Sequence, residues 1–258
     1  MIRSLHDAQK IAEILRRNSA MNLYALGDLD PFHLDYTIWY GLGDKAKVES
    51  IALLYLEPRP PTLLLLDGSP TARDHLRLLQ PLLPERFQAH LHPSLADALA
   101  PRFRLLSNET HLKMALVNPA MVRSAPCEDA VRLGRAQQEE VDALLRASYP
   151  DNHFTARMLE TGQYFGIYVE RQLVSVAGVH VYSPHYHVAA LGNISTHPDF
   201  RNRGLARQCS AAVCQSLLKQ VDVIGLNVHP ENRGAIHCYE TLGFRLIADY
   251  IEVLAEAV

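Results

Sequence analysis

The sequence predicts an α/β fold in which mixed, mainly antiparallel sheets are flanked by helices and occur as two copies in tandem. In the second half of the chain, three apolar segments joined by tight turns, 164–169, 173–182 and 187–196, predict an antiparallel meander. A helical segment and another strand follow, and a strand, crossover helix and strand of this length make a parallel pair. A weaker version of the same order precedes them. We therefore expect two domains, residues 1–120 and 121–258.

The remaining elements of the second half follow from local signals. Apolar residues on one side predict a helix over 139–146, and a loop, Tyr149–Phe154, leads to a short helical segment at 156–160. After the meander we expect a helix over 204–220 with one apolar face. A strand at 223–228, a helix over 233–242 and a strand at 244–254 complete the domain.

The first half repeats this layout with different residues. We expect helices at 7–17, 71–83 and 94–99, and strands at 36–41, 50–56, 62–66, 87–91 and 110–117. The segment Asp67–Thr71 occupies the place of a loop in the second copy but has none of its arginines. A hinge is expected at 118–128, which contains Pro119 and Pro126.

Composition narrows the function. The 258 residues are 48% hydrophobic, with a formal charge of -3, which provides no basic face for nucleic acid. The longest aliphatic run, Leu63–Leu66, is too short to cross a bilayer, and we expect neither a signal peptide nor a membrane partner. The four cysteines form no CxxC pair, which favours reduced thiols in a cytoplasmic protein.

Thirteen histidines raise the question of a metal site. His185 and His187 lie two residues apart, with His180 nearby, and would point the same way on a strand. No cysteine or carboxylate completes a ligand-spaced set, so we interpret the segment as a polar hairpin and expect no metal.

The run Arg201-Asn202-Arg203-Gly204-Leu205-Ala206 has the features of an anion site. It lies between a strand and the start of a helix, where backbone N–H groups are unpaired and the helix dipole favours negative charge. Gly204 would let a phosphate approach the backbone, and Arg201, Arg203 and Arg207 would add positive charge.

Two known phosphate-binding motifs are excluded first, and a family resemblance then indicates which anion the site would bind. The nucleotide motif GxxxxGK(S/T) and the dinucleotide motif GxGxxG are absent here. The run instead has Arg, two residues, Gly, one residue and Ala. With the preceding GNISTHPDF and the following NVHPENRGAIHCYETLGF, residues 129–258 resemble the GNAT acetyltransferase superfamily.

The resemblance implies a set of cofactor contacts and an acetyl-CoA donor. The amides of Arg203, Gly204, Leu205 and Ala206 would bind the pyrophosphate, with Arg201 and Arg207 beside them. The backbone of Ile194, Ser195 and Thr196 would pair with the pantetheine arm as a strand edge does. The strand with Ile194 would also splay from the strand with Leu226–Val228, which opens a V for the thioester.

Two residues of the last motif are expected to act together. Asn232 and Tyr239 are seven residues apart, almost two helical turns, so they would project to one face. Asn232 can bond the pantetheine. Tyr239 can reach the sulfur, and its phenol, protonated at neutral pH, can serve as the general acid.

The base and the acceptor stay open. The position of the glutamate that some GNAT enzymes use is Ala190 here, which leaves His180, His153 or ordered water to accept the proton. The Tyr149–Phe154 loop and the meander should line the acceptor pocket. Asp28 and Asp30 could attract a cationic amine, although capping a turn before Pro31 is the favoured interpretation.

Two functions of different class remain. One is transfer of an acetyl group to an amine of a small molecule or peptide, and the other is a non-catalytic acyl-CoA-binding sensor or scaffold. Tyr239 discriminates between them, since a pure binder has no use for it. We expect a single site, in the C-terminal copy, on a monomer acting as a pseudo-dimer or on a homodimer.

Overall fold

A computed structural model describes residues 1–44, 47–57, 59–150 and 152–258. Backbone contacts divide the chain into two compact units. The N-terminal unit comprises Met1–Lys113 and Ile247–Val258, and the C-terminal unit comprises Met114–Leu246. The predicted domains, 1–120 and 121–258, stay a prediction about the extent of the two copies.

The strands and helices have the following bounds. The strands are β1 (Ile2–Leu5), β2 (Thr37–Gly43), β3 (Val48–Tyr55), β4 (Thr62–Leu65), β5 (Arg86–Leu91), β6 (Phe103–Leu116), β7 (Val131–Leu133), β8 (Tyr164–Val169), β9 (Gln172–Ser183), β10 (Val188–Thr196), β11 (Val223–Val228) and β12 (Phe244–Ala257). The α-helices are α1 (Ala8–Leu15), α2 (Leu23–Gly27), α3 (Pro31–Leu34), α4 (Pro70–Leu79), α5 (Pro119–Arg123), α6 (Gln138–Ser148), α7 (Leu205–Leu217) and α8 (Arg233–Thr241). Short 3-10 helices occur at Arg16–Asn18, Gln80–Leu82, Pro93–Leu99, Arg135–Gln137, Ala156–Thr161 and Pro198–Phe200.

The N-terminal unit is a mixed sheet in the order β1-β2-β3-β4-β5-β12-β6. Its β1–β2, β2–β3, β3–β4 and β5–β12 pairs are antiparallel, while β4 and β5 are parallel and joined through α4. The apolar face of α4, with Leu76 and Leu79, packs on Phe87 and Leu91 of β5. This core forms because the alternating apolar residues of the strands and one helix face all point to the same layer.

The C-terminal unit contains the meander and the parallel pair that the sequence predicts. Strands β7, β8, β9 and β10 are antiparallel neighbours, and β10 is parallel to β11 through the crossover helix α7. Buried residues of α7 such as Cys209, Val213 and Leu217 pack on the sheet. The ring of Tyr164 lies over Gly178, where an added Cβ would come within 2.2 Å of it.

Several short elements were not predicted. β1, β7, α2 and α3 were missed, and α5 begins at Pro119 inside the expected hinge. β6 begins seven residues earlier than expected and β12 ends three residues later, and each has residues in both units. No helix among the described residues is long and apolar enough to cross a membrane.

Candidate functional site

The gap between β10 and β11 is the centre of the site. Their parallel pairing covers only Val188–Ala190 with Val223–Gly225. Beyond Ala190 and Gly225 the two strands are no longer paired with each other. Residues 191–196 of β10 and 226–228 of β11 therefore lie on either side of a gap in the ladder. The pairing thus ends where the V implied by the GNAT resemblance should open.

A bulge shapes β10 beside this gap. Gly192 pairs with Gly178 and Ser195 with Val176, so Asn193 and Ile194 together oppose one residue of β9. Asn193 has φ of 51° and is buried. Its Nδ2 donates to Tyr164 Oη at 2.8 Å, and the Tyr164 hydroxyl donates to the Val179 carbonyl at 3.1 Å. These bonds fix the bulge and with it the backbone of Ile194.

The start of α7 has the geometry expected of an anion site. Gly204 is the N-cap with φ of 75°, and no side chain caps the helix. The first helical backbone bond runs from Gln208 N to Gly204 O at 3.1 Å, while the N–H groups of 205–207 have no acceptor in the described part of the chain. A Cβ added at Gly204 would meet nothing within 4 Å. Free donors, a positive dipole end and open space suit a pyrophosphate.

The three arginines of the loop have different surroundings. Arg201 donates from Nε to Thr196 O at 3.2 Å and from Nη2 to Ser148 O at 3.3 Å. Arg203 donates to Asp199 O at 3.1 Å, and its guanidinium lies 5.0 Å from the Phe200 ring centre. The exposed Arg207 has no hydrogen bond or ion pair with any described residue. Of the three predicted phosphate ligands, Arg207 is the least committed to the protein.

Ser195 and Thr196 are held by a hydroxyl network. Ser195 Oγ donates to Ser148 Oγ at 2.7 Å, and the Ser175 and Thr196 hydroxyls are 2.8 Å apart. The Ser195 carbonyl also accepts from Ser175 Oγ at 3.3 Å. These bonds hold Ser195 and Thr196 in place at the end of β10.

Helix α8 holds the remaining two predicted residues. Asn232 is its N-cap, and its side chain accepts from Ala235 N at 3.2 Å. Tyr239 is buried, and its hydroxyl has no hydrogen-bond partner among the residues that the structure describes. Burial raises the pKa of the Tyr239 phenol well above its usual range, and Cys238, Cys214 and Tyr149 raise it further. The phenol is therefore a proton donor at neutral pH.

The loop predicted to line the acceptor pocket begins at the end of α6. In the predicted Tyr149–Phe154 loop, Asp151 lies outside the described residues. Asn152 Nδ2 donates to Tyr149 O at 2.7 Å, and Asn152 Oδ1 accepts from Phe154 N at 2.9 Å. The Phe154 ring lies 5.7 Å from the Tyr164 ring. The loop is thus anchored on the same tyrosine that fixes the β10 bulge.

The residues considered as the general base lie in different surroundings. His180 is an extra residue of β9, because Val181 pairs with Ala190 and Val179 pairs with the next residue of β10. The His180 ring packs against Gly192. His153 is exposed, and Ala190 is buried with no group that could accept a proton.

In the N-terminal unit, Asp30 caps α3 by accepting from Phe32 N at 3.1 Å. Burial raises the pKa of Asp28 to about 8, so it is mostly uncharged at neutral pH and a weak attractant for a cation.

Within the described ranges no group of three or more histidines, cysteines and carboxylates could hold a metal ion. His185 stacks edge-on with Tyr186, and His187 lies 3.7 Å from Asp222. Sequence reasoning missed Ser148, Ser175, Asn193 and Tyr164. Only the bulge had a signal, the pair Gly192-Asn193 that interrupts the apolar run of β10.

A family model matches most of the C-terminal unit. Residues 132–244 match the model of the acetyltransferase (GNAT) family. This part of the chain belongs to the GNAT family. No curated protein matches the chain.

Solved structures extend the likeness of the fold to the whole chain. A GNAT-family protein from Novosphingobium aromaticivorans is 20% identical, with a TM-score of 0.66, over 93% of this chain and 99% of that one. A GNAT-family acetyltransferase from Colwellia psychrerythraea is 12% identical, with a TM-score of 0.61, over 99% of both. A tandem GNAT protein from the clavulanic acid biosynthesis pathway is 17% identical, with a TM-score of 0.59, over 100% of this chain and 98% of that one. The predicted fold, two GNAT-like domains in tandem, is confirmed.

Proposed function

We propose that the protein is an N-acetyltransferase that moves an acetyl group from acetyl-CoA to an amine of a small molecule or peptide. The observation that carries the proposal is the open anion site at Gly204, next to the strand gap beyond Ala190. Membership of residues 132–244 in the GNAT family supports the reaction type.

The residues divide the binding between them. The N–H groups at the start of α7, with Arg203 and Arg207, would hold the pyrophosphate, and Arg201 would hold the loop in place. The backbone at Ile194, Ser195 and Thr196 would pair with the pantetheine. The Asn232 amide Nδ2, which has no partner in the described residues, can donate to it as well.

The proposed reaction is a direct attack within a ternary complex. The bound thioester supplies an activated acyl group. A C–N bond forms to the amine and the C–S bond breaks, while the Tyr239 hydroxyl gives its proton to the departing sulfur. The amine loses its proton to ordered water or to a histidine, with His180 and His153 as the candidates, because Ala190 has no group to accept it.

The test separates this function from the alternative, a non-catalytic acyl-CoA-binding sensor or scaffold. Acetyl-CoA is incubated with the protein and a panel of amines, and the release of coenzyme A thiol is followed. Tyr239→Phe should lower kcat by about a hundredfold or more, with the Kd for acetyl-CoA within about threefold. Tyr168→Phe is the matched control, because it removes a hydroxyl from β8 that bonds Glu140 instead.

Two outcomes would decide against the proposal in different ways. Binding of acetyl-CoA without amine-stimulated thiol release would favour the sensor. Release that Tyr239→Phe leaves unchanged would leave the enzyme but remove Tyr239 as its general acid. The acceptor, the monomeric or dimeric state and the cytoplasmic location stay predictions.

A further inference from the structure

One side chain links the anion-binding loop to the acceptor side of the C-terminal unit. Arg201 donates to Thr196 O at 3.2 Å, at the end of β10, and to Ser148 O at 3.3 Å, at the end of α6. A second bond joins the same two elements, from Ser195 Oγ to Ser148 Oγ at 2.7 Å. We call these three bonds the Arg201 clamp.

The clamp acts on a helix terminus. Ser148 is the last residue of α6, and its carbonyl is one of the four that find no partner within the helix. A positively charged guanidinium at this end also interacts favourably with the negative end of the helix dipole. Ser148 Oγ in turn donates to Leu144 O at 2.6 Å, so the clamp reaches one turn back into α6.

The acceptor loop starts at the next residue. Tyr149 caps α6 through its N–H, which donates to Leu145 O at 2.7 Å. Asn152 N then donates to Tyr149 O at 3.2 Å, and Phe154 N to Asn152 Oδ1 at 2.9 Å. The order of these three amides therefore depends on a helix end that Arg201 holds.

We propose that Arg201 is a positioning residue that couples occupancy of the anion site to order at Tyr149, Asn152 and Phe154 of the acceptor loop. A pyrophosphate bound at 203–207 restrains the loop that begins at Arg201. The restrained guanidinium then holds Ser148, and with it the start of the Tyr149–Phe154 loop. Since coupling between two sites is reciprocal, an ordered acceptor loop also favours the bound donor. This inference rests on the proposed function, because it takes coenzyme A as the anion.

The test measures residue-resolved amide hydrogen exchange with and without saturating coenzyme A. In the native protein, coenzyme A should slow exchange at 205–207 and also at Tyr149, Asn152 and Phe154. Arg201→Gln should keep the first effect and lose the second. Its Kd for coenzyme A should rise about fivefold, the effect of about one lost hydrogen bond.

Three variants make the result specific. Arg203→Gln is the matched control, because Arg203 bonds within its own loop at Asp199 O, and it should weaken coenzyme A while retaining the response at Tyr149. Arg201→Lys should restore part of the response, since an ammonium can serve one of the two carbonyls. Ser195→Ala removes the second bond of the clamp and should reduce the response, even if Arg201→Gln proves unstable in a thermal unfolding check.

The failures are distinguishable. If coenzyme A gives no protection at 205–207 in the native protein, the proposed function is wrong. If it protects 205–207 but not Tyr149, Asn152 and Phe154, or if Arg201→Gln responds like the native chain, the coupling is wrong and the proposed function stands.

Discussion

The starts of α4 and α7 occupy the same place in the order of elements of the two units, yet only one is open. At α4, Ser69 Oγ accepts from Ala72 N at 3.2 Å, and Pro70 has no N–H to offer. The Asp67 carboxylate accepts from Ser69 N at 2.9 Å and brings negative charge to the place where a phosphate would bind. A Cβ at Gly68 would come within 2.5 Å of the His92 ring, whereas Gly204 has open space.

The strands beside these helices differ in the same sense. β4 pairs with β5 along its whole length, Thr62–Leu65 with Gln88–Leu91, and His92 N extends the ladder to Leu65 O at 3.1 Å. In the C-terminal unit the corresponding pairing stops after three residues. The N-terminal unit therefore differs from the C-terminal unit in more than the missing arginines. At the start of α4 the backbone donors are capped and the space is filled, and β4 and β5 leave no gap.

The largest effect should come from closing the open helix start. Gly204→Asp places a Cβ and a carboxylate where Ser69 and Asp67 act in the other unit. We expect the Kd for coenzyme A to rise by about a thousandfold, through charge repulsion and lost N–H contacts. Calorimetric titration measures it, with Gly204→Ala as the control that keeps the backbone strain but adds no charge. Retained affinity would move the cofactor site away from α7.

The two units also differ in the burial of ionisable groups, since the N-terminal unit buries Asp28 whereas the anion loop exposes its arginines. Burial raises the Asp28 pKa to about 8, so between about pH 4 and 8 the unfolded chain has lost a proton that the folded chain keeps. Stability should therefore fall with rising pH there, by about 1.4 kcal/mol per unit from this group.

Asp28→Asn should remove that slope, so its stability advantage over the native chain should grow from pH 4 to 8 in urea unfolding. Burial of Lys113 lowers its pKa to about 8, and that group acts above this window, where it raises stability with pH. Parallel pH profiles for the two proteins would show that Asp28 is ionised in the folded state.

The smallest effect is expected at the capped helix start. Ser69→Ala removes the N-cap of α4 and should lower the free energy of unfolding by about 1 kcal/mol, while the Kd for coenzyme A stays within about twofold. Asn232→Ala, which removes the N-cap of α8, is the matched comparison and should affect both quantities. A loss of coenzyme A affinity in Ser69→Ala would place a second site in the N-terminal unit.

Local sequence patterns were sufficient for the long elements of the C-terminal unit. Alternation and apolar faces predicted β8, β11 and α7 within a few residues, because each signal spans a whole element. The edge strands β1 and β7 span four and three residues and are too short to show a period. The Arg201 bond to Ser148 joins residues 53 apart, and no local pattern reports such a contact.

A ladder that stops at Ala190 leaves the β10 backbone at 191–196 without paired neighbours on its β11 side. Exposed edges are templates for strands of other molecules, and proteins usually cover or interrupt them. A pantetheine arm lying between β10 and β11 would cover this edge of β10. We therefore expect the ligand to suppress self-association, so protein stored with coenzyme A should stay monodisperse longer than protein stripped of it.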